Sequence, residues 1–311
     1  FHPSYILLTS VESDHQDYFP SYESIRDAFV DFALRLPKDG SLIYCADDSG
    51  AVEVAAIVKG KRKDIQMVPY GFKAEGAWKI ESIETLSERT VLCLAACPGN
   101  EGRLVLRVPG RHTALDAAGA LALLFCMRAD VDSSGTSASF SPKELAAIKG
   151  ALEDFRGSKR RSEIVGEANG VLVMDDYAHH PHAIQTTLEG YRDFYPQRRL
   201  VLSFMSHTYT RTAALLEDFA RSLALADVLI LHKIYASARE KYSGGVNGRT
   251  LADECSRFHR DVRYYDEVLD PVDDLVEELK SGDLFISMGA GDNWQLGLEV
   301  LKRLKEKEIA Q

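Results

Sequence analysis

Two aspartates, a tyrosine and two histidines fall within six positions at the head of DDYAHHPHAI, residues 175–184. Carboxylates orient a nucleophilic amine or position a cation, and imidazoles exchange protons near neutral pH. Three further clusters carry related chemistry: SHTYTRT (206–212) with His207 and Arg211, HKIYASARE (232–240) with Tyr235 and Arg239, and MGAGDN (288–293) with Asp292. An arginine in such company takes a carboxylate in two parallel hydrogen bonds. Arginine and histidine beside paired carboxylates suit an anionic substrate with an amine or a metal ion close by. A plainer reading of DDYAHHP is a capped helix start, with Asp176 or a neighbour as the cap, although a cap needs neither tyrosine nor histidine. TRT at 210–212 also reads as a cap, and GAGDN as a tight turn at a sheet edge.

What must position these clusters is regular. Each follows a short apolar run, namely Val171–Met174, Leu200–Phe204, Val228–Leu231 and Leu284–Ser287, and each is followed by a helical pattern. From about residue 157 this rhythm predicts a Rossmann-like, doubly wound parallel sheet, whose ligands bind at the carboxyl ends of the strands. There Asp175, Asp176, His179, His180, His207, Arg211, Tyr235, Arg239 and Asp292 would line one cleft. Upstream, strand and helix patterns also alternate, again an α/β signature. Tyr5–Thr9 reads as a buried strand, and Tyr22–Leu36 as an amphipathic helix ending at Pro37. Leu42–Cys45 is a short strand, and residues 60–108 are more β-like, with alternation in Thr90–Leu94 and Arg103–Val108. An apolar helix runs from His112 to about Met127. Residues 129–143 read as a surface loop, and Ser141-Pro142 opens another helix with serine as its cap. The expected domains are 1–156 and 157–311. In the first, His15 with Glu12, Asp14 and Asp17 either ligates a divalent ion or closes a turn, and spacing alone favours the turn.

Composition sets limits. A formal net charge of −10 over 311 residues leaves no basic stripe for nucleic acid, which excludes it as a primary partner. The five cysteines (45, 93, 97, 126 and 255) are odd in number and sit mostly in apolar runs, as buried reduced thiols of a cytoplasmic protein would. Cys93 and Cys97 have no second ligand pair at zinc spacing. No apolar run approaches the roughly 18 residues of a membrane span. The opening Phe1-His2-Pro3 runs almost directly into a strand, as in a piece of a longer protein.

Taken together, the segments resemble the Mur ligases, the ATP-dependent amide-bond-forming enzymes of peptidoglycan synthesis, over essentially the whole chain. TSVESDHQD (9–17) is similar to that family's strand-end TNxExDHxD, VPGRHTALDAAGAL (108–121) to PGxHNxxNAxAA, and GSKRRSE (157–163) to GxxRRFE/D. Further on, DDYAHHPHAI, SHTYTRT and GDLFISMGAGDN follow the family's DDYGHHPTEI, PHRYTRT and GDLILxxGAGNI in the same order. The resemblance implies a partial P-loop-type central domain followed by the Rossmann-like C-terminal ligase domain. It implies that ATP phosphorylates a substrate carboxylate, that an amine attacks the acyl phosphate, and that magnesium neutralises the phosphates. By the same resemblance His15 is a magnesium ligand. Arg161 and Asp176 form the arginine–aspartate pair that meets the nucleotide, and Tyr177 and His179 line the nucleotide and reaction cleft. His180, His207, Arg211 and Tyr235 lie near the incoming amino acid and the acyl phosphate.

The segments come nearest to the member that joins L-alanine to UDP-N-acetylmuramate. The alternatives are a recycling ligase that attaches a short peptide to the same acceptor, and a non-catalytic homologue that binds a nucleotide sugar. Several positions depart from the family pattern. The two asparagines of HNxxN, which contact nucleotide, are Thr113 and Asp116, and an aspartate there repels phosphate unless a cation intervenes. The arginine of HRYTRT is Thr208, the phenylalanine after the paired arginines is Ser162, and GAGNI has become GAGDN. No G-x-x-x-x-G-K-[ST] occurs in the chain. In the family that P-loop lies upstream of the position of Phe1, so the chain alone is expected not to catalyse ligation.

Overall fold

The computed structural model describes residues 2–12, 18–95, 103–129, 140–236, 240 and 244–309. The expected magnesium ligand His15, Arg239 and most of the polar 129–143 stretch lie outside the described residues. The chain divides into two compact units, one of residues 1–107 and 111–155, the other of 108–110 and 156–311.

The first unit opens with β1 (Tyr5–Leu8), α1 (Tyr22–Ala33), β2 (Ser41–Cys45), α2 (Ser49–Lys61) and β3 (Gln66–Tyr70). The strands pair in parallel in the order β1-β2-β3. Ser21 starts α1 through a reciprocal capping box with Ser24, and the helix ends at Ala33 rather than Leu36, because Leu34 already serves as its C-cap. Asp48 starts α2: its carboxylate accepts from the amides of Ala51 (2.7 Å) and Val11 (3.1 Å), tying the loop after β1 to the helix. Then come β4 (Ile80–Leu86), β5 (Arg89–Leu94) and β6 (Arg103–Leu106), an antiparallel meander, followed by α3 (Arg111–Ala129) and α4 (Pro142–Asp154). The expected cap of α4 is present, with Ser141 and Glu144 closing a capping box. The long helix α3 packs against strands of both sheets and leaves Asp116, Ala120, Leu124 and Met127 exposed on its outer face, two of them large and apolar, which is why its sequence shows no polar stripe.

The second unit contains β7 (Glu163–Ala168), β8 (Val171–Asp176), α5 (Pro181–Phe194), β9 (Arg199–Met205), α6 (Tyr209–Ala214) and α7 (Leu216–Leu223). It continues through β10 (Val228–Leu231), α8 (Gly248–Cys255), β11 (Val262–Tyr264), α9 (Val272–Glu278), β12 (Asp283–Gly289) and α10 (Trp294–Ile309). The sheet order is β11-β10-β9-β12-β8-β7, parallel throughout except for β7. Side chains alternate between faces, so Leu172 and Met174 join α5, α7 and α8 in one core, while Val171 and Val173 join α9 and α10 in the other. Residues 108–110 belong to this unit although they lie far upstream. A Cβ on Gly190 of α5 would come within 2.8 Å of the Gly110 Cα, so only glycine allows that approach.

Candidate active site

The four polar clusters follow β8, β9, β10 and β12, which are mutually parallel neighbours, so all four emerge at one edge of the sheet. β12 inserts between β8 and β9, which puts the Gly289–Asp292 turn in the middle of that edge. Four rings span it: Tyr177 to His179 at 4.8 Å between centroids, His179 to His207 at 6.2 Å, and His207 to Tyr235 at 6.0 Å.

The two aspartates that end β8 point to opposite faces and do different things. Asp175 accepts from Arg160 Nε (2.9 Å) and from Ser287 Oγ (2.8 Å). Burial raises its carboxyl, opposed by the Ser287 hydroxyl and the Arg160 charge. Asp176 accepts from the amides of Ser162 (2.7 Å) and Ala178 (2.8 Å), and lies 3.4 Å from the hydroxyls of both Ser162 and Tyr191. At 4% exposure it is an internal anchor. The ion pair in the structure joins Arg160 to Asp175, the neighbours of the Arg161 and Asp176 expected to meet the nucleotide. Successive strand residues face opposite ways, so Asp175 reaches the Arg160 side chain while Asp176 takes the Ser162 amide of the same turn. Nor does Asp176 cap α5, whose N-cap is His180 without a side-chain cap bond.

Arg160 also donates to the Gly289 carbonyl (3.0 Å), and its guanidinium carbon lies 5.0 Å from the centre of the Tyr177 ring. Arg161 is solvent-exposed and approaches the same ring at 5.6 Å. Two non-glycine residues of this turn, Arg160 (φ 58°) and Ser162 (φ 49°), adopt left-handed backbone. Carboxylates hold both: Glu163 accepts from the Arg160 amide and Asp176 from the Ser162 amide. Strain secured in this way is characteristic of functional turns.

Farther along the edge the β9–β10 pairing extends by one bridge between His207 and Tyr235. Thr208 donates its amide to the Tyr235 carbonyl, and Tyr235 to that of Ser206. Thr208, a β-branched residue at φ 68°, is the N-cap of α6 and accepts from the Arg211 amide. The Glu240 carboxylate takes the next two amides, Tyr209 (2.8 Å) and Thr210 (2.9 Å), together with the Thr210 hydroxyl. Burial and the neighbouring Arg211 charge lower the His207 pKa, leaving that imidazole neutral at pH 7. His179 Nδ1 lies 2.9 Å from the Tyr177 carbonyl. A carbonyl only accepts, so Nδ1 carries the proton and Nε2 is the basic nitrogen.

His180 is not part of the ring row. It turns into a groove of about 490 Å³ between α5 and α7, with His182, Asp218 and Arg221 among its lining residues. Thr113 and Asp116 sit on the early turns of α3 in the first unit. Asp116 is exposed, yet crowding by the packed floor beneath raises its carboxyl, with His112 opposing. Sequence reasoning passed over Arg160, Glu240, Ser203, Ser287 and Asn293 as site residues. Arg160 left a signal as the first member of an arginine doublet, and Asn293 as the last residue of GAGDN.

Residues 1–124 match the model of the Mur ligase middle domain, and residues 160–291 that of the Mur ligase glutamate ligase domain. The chain belongs to the Mur ligase family. This Mur ligase chain is 47% identical over 307 residues to a UDP-N-acetylmuramate–L-alanine ligase of Treponema pallidum, covering 99% of the chain and 62% of the relative. Against the ligase of that name from Borreliella afzelii it is 36% identical over 296 residues, covering 95% and 61%. The crystal structure of UDP-N-acetylmuramate–alanine ligase from Thermotoga maritima matches its fold with a TM-score of 0.74 at 21% identity, over 99% of this chain and 61% of that one. The chain thus spans about three fifths of the length of the relatives it matches.

Proposed function

We propose that this chain is part of an ATP-dependent ligase of peptidoglycan synthesis that joins L-alanine to the carboxylate of UDP-N-acetylmuramate. The observation that carries the reading is the row of Tyr177, His179, His207 and Tyr235 along one sheet edge, closed at one end by the Arg160–Asp175 pair. Its nearness to the Treponema pallidum ligase supports the choice of substrates. On this reading residues 1–156 are the central nucleotide domain and 157–311 the ligase domain.

ATP supplies the phosphoryl group that activates the acceptor carboxylate. The Tyr177 ring flanked by two guanidinium groups fits such a ligand, since it offers an aromatic face for a base and positive charge for phosphates. Arg211 would take the carboxylate of the incoming amino acid. His179 Nε2 would receive the proton that its ammonium must lose before attack, and neutral His207 beside it would add no repelling charge. Among the described residues no group of three or more His, Cys, Asp and Glu is set to hold a metal ion. We place the enzyme in the cytoplasm: Cys45, Cys93, Cys126 and Cys255 are all free thiols. Among the described residues no helix is long and apolar enough to cross a membrane.

The test is phosphate release by the full-length protein. Release is expected only when ATP, UDP-N-acetylmuramate and L-alanine are all present. Turnover with a tripeptide but not with L-alanine would move the assignment to the recycling ligase. ATP binding without phosphate release from any of these mixtures would sink the ligase reading.

A further inference from the structure

One departure from the family pattern, Asn293 after the glycine turn, has a structural counterpart deep in the second unit. Asn293, Ser203 and His232 are 0%, 0% and 1% exposed and form one hydrogen-bonded chain. The Asn293 amide nitrogen donates to the carbonyls of Ser203 (2.8 Å) and Met288 (2.8 Å), which fixes the orientation of the amide. Its oxygen must then accept, and it takes the Ser203 hydroxyl at 2.8 Å. With its one proton committed, Ser203 Oγ accepts from His232 Nε2 at 2.9 Å. The chain crosses three strands, from the end of β12 through β9 to the end of β10.

The residues so pinned bracket the turn that joins both ends of the ring row. At one end the Gly289 carbonyl receives Arg160, the arginine beside Tyr177. At the other, a Cβ on Gly291 would lie 2.4 Å from the Tyr235 ring, so turn and ring are in contact there. Gly289 itself presses on Met205, whose carbonyl would lie 2.2 Å from an added Cβ, and the Ala290 amide donates to that carbonyl. Asn293 thus ties down the far end of a turn whose near end is held by the Ala290–Met205 bond.

We infer that Asn293, held by Ser203 and His232, is a positioning residue that sets the Gly289–Asp292 turn and through it the placement of Arg160 at Tyr177 and of Tyr235. This inference rests on the ligase reading for its kinetic consequence, but not for its geometry. Trp294 adjoins Asn293 and is 39% exposed, whereas the chain's other tryptophan, Trp78, is 6% exposed. Iodide quenching of the chain's fluorescence therefore reports on the turn.

Two variants separate aim from stability. Asn293→Leu strips the turn of its tether and leaves buried polar partners behind. The triple variant Ser203→Ala/His232→Leu/Asn293→Leu removes the whole chain at once, a replacement that can be nearly neutral for stability. Both should show increased iodide quenching. In the full-length ligase both should raise KM for ATP by roughly tenfold, the scale expected when an intact contact loses its aim. The triple variant should do so with a melting temperature near wild type. Wild-type quenching and wild-type KM in a stable triple variant would overturn the inference, as would quenching changes that track only the loss of melting temperature. If the wild-type enzyme shows no ATP turnover, the ligase reading fails instead, and the quenching comparison still decides the geometry.

Discussion

Adjacent residues of the same type have opposite jobs at this site. Asp175 faces the arginine turn, and Asp176 holds two backbone amides inside the core. Removing the Asp176 carboxylate leaves those amides buried and without acceptors, so Asp176→Ala should cost roughly 2–4 kcal/mol of stability. Urea denaturation of the chain, followed by circular dichroism, measures it. A variant as stable as wild type would show that the Asp176 anchor contributes little. Loss of turnover on this substitution therefore carries no information about chemistry unless stability is measured beside it. Arg160 is the more informative position. Its guanidinium joins Asp175, the Gly289 carbonyl and the Tyr177 ring, whereas Arg161 reaches only the ring from the solvent side. Neither assignment could be read from the doublets themselves, because RR and DD look alike until strand register says which member faces which way.

At the scale of elements, β8, β9, β10 and β12 were legible because each is buried on both faces and reads as a mainly apolar run. β7 and β11 were not. One is half-exposed and interrupted by Gly166, and the other is a three-residue Val-Arg-Tyr segment with no buried position. The short α6 was partly legible: a cap was expected at TRT (210–212), whereas the cap is Thr208, two residues earlier, and Glu240, distant in sequence, completes it. Burial works against the Glu240 carboxylate, but the Thr210 and Tyr209 amides outweigh it and its pKa falls below the ordinary value. A depressed carboxyl pKa means that the stabilisation is present above the unfolded-state value and lost as pH drops through the folded one. Glu240→Ala should therefore speed hydrogen exchange at the Tyr209 and Thr210 amides several-fold, with little change in global unfolding. Unchanged exchange at both amides would count against Glu240 as the cap.

At the scale of the whole second unit, buried polar groups make stability depend on pH. Burial pushes the His232 pKa down to about 4, despite raising influences from the Tyr265 and Glu267 backbone and the Asp270 and Glu267 charges. Between 6.5 and about 4 the unfolded chain binds a proton that the folded unit refuses, so stability falls with acidification by roughly 3 kcal/mol at most. Asp175, with its raised pKa, works in the other direction over its own range. Denaturation midpoints from pH 7 to 4 should drop more steeply for wild type than for His232→Leu, and parallel slopes would exclude His232 as the cause. At the opposite end of the sheet, Arg199 and Arg263 bind Glu278, Asp283 and Asp261 in a network that owes nothing to the site. The two outer strands have a consequence for the molecule in crowded solution. β11 is too short to seat another strand and carries Arg263, while β7 runs against its neighbour, bends at a bulge between Ile164 and Gly166, and bears Glu163 and Glu167. Neither border offers a straight, uncharged row of amides, so edge-to-edge growth into fibrils has no surface of this sheet on which to begin.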